Sequence, residues 1–336
     1  MKFTLFALIF CSFLLLNRAA AQEPDLVRYV NTLQGTDSEW ALSYGSTYPT
    51  VGLPFGQHFY SAQTGKNGNG WKYQYKAKTI RGFQQVHQCS PWMNDYAVFS
   101  LMPNIQTLKV NEDDRALSFS HANETAKPHY YSVKFDNGTQ AEISPVERGS
   151  HMRFSFPKSE KAFLVLDGFL KDCQVEILPK ERKIIGWVNN GRFVPENFKS
   201  YFVLEFSQGF KSFGTWENVN GKVKEGNVSD SGKGVGAYLE FKPGTKVEVK
   251  IASSFISPGQ AQLNFNNELA KNKKFEDTKS SAYKVWNTLL NRIAVEGDSE
   301  EDKATFYSCL FRANLFSRKF YDYNEDGRPY YYSPYD

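Results

Sequence analysis

VGAYLEFKPGTKVEVKIASSFISPGQAQLNFNNELA, residues 235–270, contains two kinds of order and the boundary between them. Val235, Ala237, Leu239 and Phe241 are spaced two apart, Pro243-Gly244 is a turn pair, and Val247, Val249 and Ile251 then alternate with Lys246, Glu248 and Lys250. Successive side chains of a strand point to opposite faces, so this pattern predicts two strands, each with one apolar face. After Ser257 the repeat lengthens. Pro258 suits the first turn of a helix, and Ala261, Phe265 and Leu269 recur every four residues, the spacing of one helical face.

Upstream, from about Gln22 to Ser257, short alternating runs are broken by Gly, Asn, Asp and Pro. Met152, Phe154 and Phe156 face one way while Arg153 and Ser155 face the other. So many strands cannot close in one flat layer, and a large antiparallel two-sheet β-sandwich follows. Downstream, Ala282, Val285, Trp286, Leu289 and Ile293 form one helical stripe. Ser299, with Asp302 three residues on, opens a third helix carrying Phe306, Leu310 and Ala313. Strands followed by helices predict a sandwich over 22–257, linker helices over 258–297 and the start of a helical domain over 298–336. The final stretch, YDYNEDGRPYYYSPYD, is rich in Tyr and turn residues and has no closing element. The helical stripes need partners, so more helices are expected beyond Asp336; the alternative is that these helices pack on the sandwich.

The 336 residues are 41% apolar and 16% aromatic, enough to fill real cores. The net charge of +4 comes from 40 basic and 36 acidic residues scattered without a long run, which argues against nucleic acid or an anionic membrane as partner. Lys2, the apolar run Phe3 to Leu16 and Ala19-Ala20-Ala21 read as a signal peptide over 1–21 cleaved near Ala21, giving a secreted or periplasmic protein. A lipoprotein reading through Cys11 places Phe10 where a small residue belongs. No later run approaches the ~20 apolar residues of a membrane span. Cys89, Cys173 and Cys309 remain, an odd and widely spaced set that implies neither a disulfide framework nor a zinc site, with at least one a buried free thiol. The sequons at Asn123, Asn137 and Asn227 matter only in a glycosylating secretory pathway.

Unusual residues concentrate between Gly35 and Pro103: GTD (35–37), STYPTVGLPFG (46–56), NGNGWKYQY (67–75) and GFQQVHQCSPWMNDYAVFSLMP (82–103). Gly and Pro at this density keep the backbone in loops, where sites are built. Trp71 and Trp92 stand there beside His87, Gln88, Asn94 and Asp95, and an aromatic face flanked by amide and carboxylate groups suits a sugar ring. In a β protein the same rings are more often core than platform. Neither a nucleophile elbow nor a phosphate-binding loop is present. His58, His87, His121, His129 and His151 show no metal-ligand spacing. Spacing does not select the two carboxylates that glycoside hydrolysis needs, and most of Asp95, Glu142, Glu147 and Asp167 read as solvated or structural.

Seven stretches in order resemble glycoside hydrolase family 92, the exo-acting α-mannosidases. They are VRYVNTLQGTD (27–37), TYPTVGLPFG (47–56), IRGFQQVHQCSPWMNDYAVFSLMP (80–103), FSHANETAKPHYYSVKF (119–135), ASSFISPGQAQLNFNNELA (252–270), YKVWNTLLNRIAVEG (283–297) and FYSCLFRANLFSRKF (306–320). The resemblance runs from about Val27 to Asp336. It implies an N-terminal β-sandwich, linker helices and the start of an (α/α)6 barrel, with the active site at the domain junction. It further implies inverting hydrolysis of terminal α-linked mannose in mannans or N-glycans, and a calcium ion holding sugar hydroxyls. The sugar-binding role carries onto Trp71, His87, Gln88 and Trp92, with Asp95 orienting. Cys89 departs from the residue, often Pro, that the family has between His-Gln and Ser-Pro. The family's acid, base and main calcium ligands lie in the barrel, so no residue here inherits a catalytic or metal role. The expectation is therefore a fragment, a truncated gene model or a remnant, with the missing barrel as intramolecular partner. A non-catalytic glycan-binding module or an inactive remnant is the alternative.

Overall fold

The computed structural model describes residues 23–66, 72–87, 99–158, 160–189, 195–218, 221–269, 273–297 and 299–333. The strands form two large antiparallel sheets. In spatial order the first contains β1 (Phe59–Gln63), β3 (Gly82–Val86), β4 (Phe99–Ile105), β9 (Ala162–Asp167), β16 (Val235–Phe241), β13 (Ser212–Glu217) and β14 (Val223–Glu225). The second contains β15 (Ser229–Lys233), β10 (Asp172–Leu178), β11 (Lys183–Val188), β12 (Ser200–Phe206), β17 (Lys246–Ser254), β8 (Gly149–Ser155), β7 (Gln140–Val146), β6 (Tyr130–Phe135), β5 (Leu117–Lys127) and β2 (Thr79–Ile80). The two-sheet β-sandwich expected from the alternation is what the chain forms.

The Pro243-Gly244 turn is a corner between sheets. It takes the chain from β16, between β9 and β13, to β17, between β12 and β8. Gly244 sits at φ +69°, a conformation that L side chains avoid. The alternating residues of both strands reach the same core: Val235, Ala237, Leu239 and Phe241 from one side meet Val247, Val249, Ile251, Met152 and Phe154 from the other. Burying apolar surface on this scale is the main drive for folding.

Both sheets also have covered outer faces, which simple alternation does not foresee. On β16 and β13, Tyr238 and Trp216 pack with Phe163, Val165 and Val110. The segment carrying Val110 is pinned by Arg115, wholly buried, which donates to the carbonyls of Arg81 and Val110 and pairs with Asp167 at 2.6 Å. The outer face of the second sheet is roofed by α1 (Pro258–Glu268), whose Ala261 and Phe265, with Leu269 at its end, pack on Val146, Val203 and Ala252. Ser257 caps α1 by accepting from the Gln260 N–H at 3.0 Å, with Pro258 at the first position. Beside it α2 (Phe275–Leu290) lies over β7 and β8.

Two helical stripes differ from the sequence reading. In α2, Phe275, Thr278, Ala282, Trp286 and Leu290 are buried, whereas Val285 is exposed and Ile293 lies beyond the helix end, also exposed. In α3 (Glu300–Ala313) the buried face is Tyr307, Ser308 and Phe311; Phe306 and Leu310 flank it, and Ala313 is exposed. Ser299 caps α3 as its position predicts, accepting from the N–H groups of Glu301 and Asp302. These helices bury against the sandwich and the N-terminal segment. Trp286 donates to the Gly52 carbonyl at 2.7 Å, Asn287 accepts from Leu26 N–H at 2.9 Å, and Tyr29 stacks on Tyr307 with ring centres 5.6 Å apart. Cys173 is a buried free thiol and Cys309 an exposed one.

Candidate functional site

His87 directly follows β3, whose residues are all buried. Its ring lies among Phe255 at 5.0 Å, Phe320 at 5.6 Å and His58 at 6.0 Å between centres, and Phe198, Phe255 and Phe320 stack on one another with centres 5.1, 5.2 and 6.2 Å apart. Burial, reinforced by the Arg318 charge, pushes the imidazole well below its ordinary value, so the ring is neutral at pH 7. Its Nδ1 is 2.7 Å from the Gln57 carbonyl oxygen. A carbonyl only accepts, so Nδ1 carries the hydrogen and Nε2 holds the ring's lone pair. Arg318, from the segment after α3, donates to the His87 carbonyl. His87 thus stands where the first sheet meets the helical region. The other predicted sugar-binding residues, Trp71, Gln88, Trp92 and Asp95, lie outside the described residues.

Tyr73 and Tyr75, which follow Trp71 in the sequence, are fixed by a buried carboxylate that the sequence reading did not single out. Glu124 accepts from Tyr73 at 2.9 Å and from Tyr131 at 2.5 Å, and lies 2.6 Å from His121 Nδ1. His121 stacks on Tyr75 with ring centres 3.8 Å apart. Glu124 occupies an irregular point of β5 pairing, where the register with β6 shifts between Phe119 and Glu124. Alternation alone puts such a side chain on the surface.

A cleft of about 400 Å³ opens between α1, α2 and the turn joining β7 to β8. Leu53, Val146 and Ala282 supply its apolar wall, and Glu147, Arg148, Asn264 and Glu268 its polar one. Arg148 is nearly buried and meets Glu147 at 2.6 Å, Glu268 at 3.0 Å and Asp322 at 2.7 Å. Lys319 pairs with Glu147 at 2.6 Å. Burial opposes the Arg148 charge, but Glu268, Glu147 and Asp322 outweigh it and raise its value, while burial pushes the Glu268 carboxyl up despite Arg148.

The described carboxylates weighed as glycosidase candidates are all engaged. Glu142 receives both arms of Arg153, at 2.6 and 2.7 Å, and Tyr130 at 2.8 Å; burial works against its charge, but these donors hold it below the usual carboxylate range. Asp167 is locked to Arg115 in the core, and Glu147 to Arg148 and Lys319. Among the described residues no group of three or more His, Cys, Asp or Glu side chains converges to hold a metal ion. This chemistry suits holding elements together.

Comparison with known proteins places these features in a lineage. Residues 29–254 match the glycosyl hydrolase family 92 N-terminal domain, and residues 260–336 match the glycosyl hydrolase family 92 catalytic domain. The fold is similar to that of a family GH92 inverting mannosidase from Bacteroides thetaiotaomicron, with a TM-score of 0.89 and 42% identity over 93% of this chain and 42% of that one. A second family GH92 alpha-mannosidase of the same organism shares the fold at a TM-score of 0.78 and 24% identity, over 92% of this chain and 44% of that one. Among curated proteins, an uncharacterized secreted glycosidase of Arthroderma benhamiae is 26% identical over 90% of this chain and 43% of its own length. The chain thus spans less than half the length of these relatives. With family 92 segments matched on both sides of the strand-to-helix boundary, the chain belongs to glycoside hydrolase family 92.

Proposed function

We propose that this chain is the N-terminal, sugar-shaping portion of a secreted, calcium-dependent exo-α-mannosidase that removes terminal α-linked mannose from mannans or N-glycans with inversion. The observation that carries this reading is the tandem of family 92 segments, in a chain 42% identical to an inverting mannosidase. Inversion requires one carboxylic acid to protonate the leaving oxygen and one carboxylate to activate water on the opposite face. Glu142, Glu147 and Asp167 are engaged in ion pairs, and the proposal gives the acid and base to the barrel and the binding and orienting of the sugar to this chain. Neutral His87 fits that part, with one ring nitrogen bonded to backbone and the other a hydrogen-bond acceptor. The proposal assigns the ligands of the calcium ion to the helical barrel that the family resemblance implies.

The test is expression from Met1 in a secreting host, purification of the exported chain, and an assay for mannose release from an α-linked mannobiose with added calcium. Export without residues 1–21 and no release, with binding of the disaccharide by the folded protein, is the expected result. Release would place the acid and base in this chain and overturn the division of labour proposed here. A folded chain that neither binds nor hydrolyses the disaccharide would remove the sugar-shaping role.

A further inference from the structure

Asp322 sits where four other segments of the molecule meet. Its side chain is fully buried, and Oδ1 accepts from Arg148 Nε at 2.7 Å, Asn264 Nδ2 at 3.1 Å and Gln57 Nε2 at 3.2 Å, while Oδ2 accepts from Ser254 Oγ at 2.5 Å. The donors come from the loop before β1, the turn between β7 and β8, the end of β17, and α1. A carboxylate withdrawn from water is costly unless charge and hydrogen bonds compensate it, and this one is compensated on both oxygens. The segment leading to it is stitched to the same loop: Phe55 N–H donates to the Asn314 carbonyl at 2.9 Å, and Lys319 N–H to the Phe55 carbonyl at 3.0 Å. Gln57 is therefore held by its side chain at Asp322 while its carbonyl holds the His87 ring.

We propose that Asp322 is a positioning residue that acts through the Gln57 side chain to fix the carbonyl on which His87 hangs, so that the segment after α3 sets the orientation of the His87 ring. The idea rests on the reading of His87 as part of the sugar pocket, but its geometry can be tested without sugar.

The exported chain would be compared with Asp322→Asn, Gln57→Leu and the double variant. Asp322→Asn takes away the charge that three donors share at Oδ1, and Gln57→Leu takes away one of those donors, the tether to the loop before β1. If Asp322 acts through Gln57, its substitution changes nothing further at His87 once the Gln57 amide is gone. The readouts are the His87 ring nitrogen resonances and amide exchange around the Phe59–Val86 pairing of β1 with β3. Each single variant should shift the His87 resonances and raise local exchange about tenfold, the scale of one lost buried hydrogen bond, with amides in the middle of β17 unchanged and the double variant shifted no further than Gln57→Leu. Unchanged His87 signals in both single variants, exchange rising uniformly across the sandwich, or additive His87 shifts in the double variant would overturn the proposal. Should Asp322→Asn fail to fold, Gln57→Leu removes the tether alone and is judged by the same two readouts. An α-mannobiose titration of the wild type runs in parallel. Its failure would sink the sugar reading and leave the result on Asp322 standing.

Discussion

Met152 and His151 are neighbours on β8 and are buried for different reasons. Met152 faces the inter-sheet core, whereas His151 faces outward and is covered by α2, with Nδ1 3.2 Å from Thr278 Oγ1 and Phe275 against the ring. Burial, with Lys250, Lys273 and Arg153 nearby and Asp277 opposing, pushes the imidazole down to about 3. Neutral His151 therefore makes no ion pair with Glu248, although its Nε2 lies 3.2 Å away. The folded value lies below the unfolded one, so the unfolded chain takes up the proton first as pH falls. The stabilisation is complete above about 6.5 and shrinks as pH drops toward 3, costing about 2 kcal/mol at pH 5. His129, pushed down to about 4 by burial and then by Lys279 and Lys127, acts in the same direction. Chemical denaturation at pH 7 and pH 5 should show this loss, and His151→Leu should remove about that much of the difference; an equal slope in the variant would refute the assignment. This outcome was not legible in the sequence, because alternation says which way His151 points and not what will cover it. Asp322 was illegible for a related reason: Arg148 and Gln57, its partners, lie 174 and 265 positions away. Sequence reasoning put His87 in a loop cluster, and the structure adds the Gln57 carbonyl that fixes its tautomer.

The strands were more legible than the faces of the helices. Val235 to Ile251 announced two strands because period-two burial leaves a strong trace, and Ser257-Pro258 announced a helix start because caps are local chemistry. The buried stripes of α2 and α3 came out rotated from expectation, since a helix end and a neighbour's position decide which flank of a broad stripe is covered. Close approach between strands was likewise hidden. A methyl group added at Gly149 would lie 1.8 Å from the Ile251 carbonyl oxygen, so β8 and β17 pair only with glycine there. Gly149→Ala should cost at least ~2 kcal/mol by urea denaturation, in the range of overpacked cores. A loss below about 0.5 kcal/mol would mean that the strands part without penalty.

Trp286, Leu290, Tyr307 and Phe311 belong to the same buried cluster as the strand residues Val247 and Phe154. Helices and sandwich should therefore unfold together, with tryptophan fluorescence and far-ultraviolet circular dichroism tracing one coincident urea transition. Two separated transitions would show that the helices hold on their own. At this scale the fold class was readable, since many alternating runs admit few architectures; the roof over each sheet was not, since it depends on contacts between distant segments. The margins of the sheets carry a last consequence. The second sheet ends in β2, two residues long, and in β15, which is mostly exposed and polar, while the first ends at one side in the three-residue β14, tied by Lys224 to Glu217 and Asp230. At the other side, Val51 and Tyr60 bridge across the margin of β1. Such borders give an arriving strand little ladder to copy. This protein, rich in the residue types that build fibrils, is shielded from templating its own kind, and replacing the charges of β14 and β15 with apolar residues would dismantle that shield while leaving the interior intact.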